Sequence, residues 1–128
     1  IKHPEVSVST DTILMGFGRP SYLFYGCYPK FISRYVRDKK MLDIETGIRK
    51  MTGLPAQHFN IRDRGTLKEG SFADVLVLDI DSVDPNCSFT EPVGRPSGIE
   101  HVFINGAHVL ENGEINEGTL AGRLLRRQ

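Results

Sequence analysis

Residues 64–79 read RGTLKEGSFADVLVLD, a charged loop bracketed by Gly65 and Gly70 that runs through Ala73-Asp74 into the apolar stretch Val75-Leu76-Val77-Leu78. None of these residues forms a nucleophile, a metal-ligand spacing or a phosphate cradle, so the stretch reads as scaffold. Its glycines permit turn conformations closed to other residues, and Asp74 is placed to tie down neighbouring backbone amides before a strand. Downstream the strand grammar continues. Val102-Phe103-Ile104, Ala107-His108-Val109-Leu110 and Glu114-Ile115 are separated by Asn105-Gly106 and Asn112-Gly113. Asn-Gly between apolar runs is the strongest short hairpin signal, because both turn residues must take positive φ. An antiparallel meander follows. Asp81 to Gly98, with Pro85, Pro92 and Pro96, reads as an ordered excursion between its parts. Val75, Val77, Val102, Ile104 and Val109 are expected on one inward face. The chain has no second set of long strands to cover it, so cover is expected from another copy or from residues preceding Ile1.

Upstream of the loop the pattern is helical. Pro29 suits a first helical position, and Phe31, Ile32, Tyr35 and Val36 recur at helical spacing, giving a helix over about 29–39. Asp43 caps a second helix with Ile44, Ile48 and Met51 on one face. That helix is expected to stop at Gly53 as a left-handed C-cap, with Pro55 opening a short third turn to Phe59. Val6-Ser7-Val8-Ser9 alternates as a half-buried strand does and ends at Thr10-Asp11. Thr12 to Cys27 reads as a long loop rich in apolar and aromatic groups.

The chain has 128 residues, enough for one domain, with 16 basic and 16 acidic side chains. Such a balance offers no field to attract nucleic acid or an anionic membrane. No apolar run approaches the ~20 residues a membrane span needs, and the expected location is cytoplasmic. Cys27 and Cys87 stand in no zinc-binding spacing and are expected to be reduced thiols. His3, His58, His101 and His108 share no HxH or HExxH spacing, and none is expected to ligate a metal.

Several separated phrases carry a family resemblance: YGCYPKFISRYVRD, RKMTGLPAQHF, the opening loop with its Ala-Asp strand, RPSGIEHVFINGAHVLENGE and the closing GRLLRR. In order and spacing they resemble the C-terminal end of metal-dependent amidohydrolases, most of all the D-aminoacylases (N-acyl-D-amino-acid deacylases). The resemblance implies an α+β fragment: the end of a (β/α)8 barrel, with its last strand, active-site loop and terminal helices in residues 1–60. A small antiparallel β-sandwich part with a C-terminal tail would occupy residues 61–128.

Under that resemblance Val6 to Asp11 becomes the last barrel strand, with Asp11 at the C-terminal end where barrel active sites lie. The matching aspartate of the family is the general base that takes a proton from metal-activated water and returns it to the departing amine. On the residues alone, Asp11 reads first as a strand terminator that bonds the backbone of the next turn, and it is the resemblance that turns it into a base. The family's usual Gly-Ser-Asp-Gly is Ser9-Thr10-Asp11-Thr12 here. The intact enzyme would use zinc, with its ligands on earlier barrel strands; this chain alone is expected to hold none and to be inactive. Its substrate would be an N-acyl-D-amino acid, and its partner the N-terminal part of the same enzyme or another copy covering the sheet. The competing expectation is a free-standing β-rich binding or assembly module without catalysis.

Overall fold

A computed structural model describes residues 1–12 and 18–125. Among these, three α-helices and a π-helical segment precede a four-stranded sheet. Helix α1 spans Tyr22–Lys30 and passes without a break into the π-helix Phe31–Asp38. The helix therefore starts well before Pro29, inside the stretch expected to be a loop; residues 13–17 of that stretch lie outside the described residues. Ser21 explains the start, since its hydroxyl accepts the Leu23 N–H at 3.3 Å as an N-cap. Pro29 sits inside the helix. A proline cannot donate the usual i→i−4 bond, and the ladder beyond it widens, with the Lys39 N–H reaching the Arg34 carbonyl at 3.0 Å.

Helix α2, Ile44–Met51, begins as the sequence predicts, with the Asp43 carboxylate accepting the Thr46 N–H at 2.7 Å. Its end differs. Thr52 breaks the helix with φ −127° and ψ −85°, and Gly53 opens α3, Gly53–His58, instead of forming a left-handed cap. Gly53 is needed for another reason: a Cβ there would lie 3.2 Å from the Gly65 carbonyl oxygen, so the loop of residues 61–66 crosses close over the helix start. The core lies among these helices, where Phe31, Ile32, Val36, Leu54 and Ala56 are buried together with Val83 of the excursion.

The sheet comprises β1 (Val75–Leu78), β2 (Ile99–Ile104), β3 (Ala107–Glu111) and β4 (Glu114–Ile115), antiparallel and in sequence order. Both Asn-Gly turns are as expected, with φ of 51° and 84° at Asn105 and Gly106 and 49° and 79° at Asn112 and Gly113. The faces are not. Opposed residues share a face, and the register opposes Leu76 to Val102, Val102 to Leu110 and Leu110 to Ile115. Val75 instead opposes Phe103, and Val77 opposes His101. Val75 and Val77 therefore face away from Val102, while Val109 is the residue left over where the β2–β3 register shifts. Among the described residues no helix packs broadly across either face.

The excursion joins the two regions. Arg37 Nη1 donates to the carbonyls of Ile80, Asp81 and Val83 at 3.3, 3.1 and 2.8 Å. Gly98 is required at the return, because a Cβ there would come within 2.5 Å of the Val83 amide nitrogen. Residues 6–9, expected as a strand, pair with no strand among the described residues. A barrel strand is held by neighbours on both sides, and the described residues offer it none.

Candidate active site

Asp11 lies at the end of that unpaired segment, exposed, with a left-handed φ of 43°. Aspartate tolerates this region better than most residues because its short side chain can bond locally. Among the described residues no hydrogen bond or ion pair engages its carboxylate.

The segment leading to Asp11 is held mainly by one residue, which sequence reasoning missed. Lys50, on the last turn of α2, is only 1% exposed. Its Nζ donates to the carbonyls of His3 and Val6 at 2.5 and 2.8 Å, and its own carbonyl accepts the Val8 N–H at 3.0 Å. A buried ammonium is costly unless its donors are met, and here two of its three find backbone oxygens. The sequence does not mark it: Lys50 lies in the last turn of a short helix, where a cation is ordinarily read as a solvated, favourable charge at the C-terminus. Lys50, Phe31 and residues 6–9 line a groove of about 230 Å³. Another groove, of about 590 Å³, runs between α2–α3 and the loop around Arg64. It mixes Glu45 and Asp63 with Arg49, Arg64 and Lys68, and its lining includes the hydroxyls of Thr52 and Thr66 but no Ser, Cys or His.

The remaining candidates sort themselves by geometry. Asp74 is the structural anchor the sequence suggests. It accepts the Asn105 N–H at 2.8 Å and pairs with Arg64, whose guanidinium also reaches the Asn105 side chain. Burial pushes the Asp74 carboxyl up, but the Asn105 amide and the Arg64 charge outweigh it and hold it below the usual carboxylate range. His101 and His108 meet across β2 and β3 with ring nitrogens 3.1 Å apart, and His108 stacks on Phe103 at 4.3 Å. His108 is thus half-buried, not turned to solvent. Cys27 and Cys87 are free thiols, both pushed up by burial. Such thiols are poor nucleophiles at neutral pH.

Zinc chemistry needs three or more converging ligands. Among the described residues no group of three His, Cys, Asp or Glu side chains converges in that way.

Residues 2–109 match the model of the Amidohydrolase family. The chain belongs to that family. Within it, the chain is 38% identical over 109 residues to a D-aminoacylase of Alcaligenes xylosoxydans xylosoxydans, covering 85% of this chain and 22% of that protein. A solved D-aminoacylase structure superposes with a TM-score of 0.89 at 36% identity, over 94% of this chain and 25% of that one. An N-acyl-D-glutamate deacylase from Bordetella bronchiseptica, solved with zinc and a phosphonate mimic of the tetrahedral intermediate, gives a TM-score of 0.80 at 36% identity, over 84% and 22%. The chain thus spans about a quarter of the length of the relatives it matches.

Proposed function

We propose that this chain is the C-terminal part of an N-acyl-D-amino-acid deacylase, which hydrolyses the amide to a carboxylate and a free D-amino acid. Residues 1–60 would complete a (β/α)8 barrel, and residues 61–128 would contribute to a β-sandwich. The observation that carries this reading is the agreement of almost the whole chain, 94% at TM-score 0.89, with a D-aminoacylase. In this reading Asp11 is the catalytic residue. Its unoccupied carboxylate accepts a proton from the water that attacks the amide carbonyl and delivers it to the nitrogen as the C–N bond breaks. The zinc ligands would come from polypeptide outside this chain, which alone should be inactive. The same outside polypeptide, or a second copy, would cover the Leu76–Val102–Leu110–Ile115 row.

The test is Asp11→Asn in the full-length polypeptide, assayed on a panel of N-acetyl-D-amino acids. The amide preserves size but accepts no proton, so kcat should fall by at least ~10²-fold, with folding and metal content unchanged. Near-normal turnover would reduce Asp11 to a turn residue and remove the proposed mechanism.

A further inference from the structure

We infer that His101 and His108 form a chelating site for a divalent transition-metal cation, copper(II) foremost, on one face of the sheet. The inference goes beyond the deacylase reading and does not depend on it.

An irregularity in the sheet brings the two rings together. His108 and Glu111 are three positions apart on β3, and in a regular strand they would point to opposite faces. The register opposes Glu111 to His101 but, past its shift, His108 to Phe103. His101 and Phe103 lie two positions apart on β2 and share a face. The extra residue, Val109, therefore turns His108 onto the same face as His101 and Glu111. Bulges that re-aim a side chain in this way are over-represented beside functional sites.

The result is a pair of donors at chelating distance. His101 Nδ1 and His108 Nε2 stand 3.1 Å apart. Two nitrogens bound at about 2.0 Å to one cation are separated by about 2.8 Å in a square-planar and about 3.3 Å in a tetrahedral arrangement, and the observed gap falls between them. The His108 ring is held in place by stacking on Phe103 at 4.3 Å and 10°. Glu111 Oε2 lies 3.9 Å from its Nδ1. A carboxylate there favours a proton on Nδ1 and leaves the Nε2 lone pair to the cation, as carboxylates beside metal-bound histidines do. His101 with its proton on Nε2 offers Nδ1 in turn. The cation then replaces the one proton that a hydrogen bond between the rings requires, and neither ring changes charge. Glu114 opposes Glu111 and adds a second carboxylate to the row, with Arg95 3.6 Å from it. The His108 side chain is 28% exposed, so an ion can reach it from solvent.

The donor set selects the cation. Two protein nitrogens are fewer than a zinc site uses, whereas imidazoles completed by water in a tetragonal set suit copper(II), which also heads the affinity order of the divalent first-row ions.

The experiment titrates the full-length polypeptide, with its resident metal in place, with copper(II) sulfate, and follows binding by electron paramagnetic resonance and by competition with a chelator of known affinity. One equivalent should bind with a tetragonal spectrum showing coupling to two imidazole nitrogens. His101→Gln and His108→Gln should each remove that signal and weaken binding by at least ~100-fold, as loss of chelation does. Glu111→Gln, which leaves both ligands but not the orienting charge, should weaken it by about 10-fold. Copper that displaces the resident metal would keep its spectrum in both histidine variants. A two-imidazole signal that survives in either of them overturns the inference. So does a wild-type spectrum without that signal, which decides the matter even if a variant fails to accumulate and leaves the pair an ordinary hydrogen bond.

Discussion

The helical region and the sheet of this chain are held together by different physics. Between Tyr22 and His58 the buried apolar groups lie on helices, and Leu54 is wholly inaccessible. No strand residue is fully buried; Leu76 is 48% exposed and Ile115 61%. The sheet is maintained by its ladder, its Asn-Gly turns and the polar latch of Arg64, Asp74 and Asn105. Hydrophobic burial stabilises the first region, and hydrogen bonding with turn geometry specifies the second. A sheet built this way keeps its register while leaving part of an apolar row exposed.

The strongest way to break that contrast is to truncate one leucine in each region. Leu54→Ala should destabilise the chain by about 2–5 kcal/mol, since the void it leaves cannot be filled by water. Leu76→Ala should change stability by no more than ~0.5 kcal/mol, as surface substitutions do. Urea unfolding of both variants is the check, and equal losses would mean that the sheet has a core of its own.

A smaller effect is expected at the latch. Asp74→Ala should cost about 1–2 kcal/mol, toward the lower end because the carboxylate is 34% exposed and partly screened. The same group gives a pH signature. Its folded pKa is depressed, so its contribution is fully present above the ordinary carboxylate value of about 4. It disappears as pH falls through the lower folded value. The stability difference between wild type and Asp74→Asn should therefore persist from neutrality to about pH 4 and shrink below it. A difference that grows on acidification would show that the latch does not depend on the charged form.

How much of this was legible in the sequence follows from the range of each interaction. Turn residues announce themselves, because Asn105, Gly106, Asn112 and Gly113 adopt backbone angles that few other residues tolerate. The Asp43 cap is equally local. The start of α1 is hidden because Pro29 has the look of a helix opener while Ser21, eight residues earlier, is the cap. The faces of the sheet are hidden because the β1–β2 register opposes Leu76, not Val75 or Val77, to Val102, and because an extra residue in β3 sets Val109 apart; composition carries no trace of either. The proposal of Asp11 as the base rests on family resemblance. Lys50 was not legible, since nothing along the chain reveals that the carbonyls of His3 and Val6 converge on it.

The two Asn-Gly turns also differ in how they should age chemically. Deamidation begins when the glycine nitrogen attacks the asparagine side-chain carbonyl, which requires that side chain to swing over its own backbone. Asn105 is restrained from doing so: its Oδ1 is held by Arg64 and its Nδ2 donates to the Ala121 carbonyl at 2.6 Å. Asn112 has no such pair of restraints among the described residues. Storage should therefore convert the β3–β4 turn to isoaspartate first, lengthening the backbone at the outer hairpin while the turn beside the latch keeps its original chemistry.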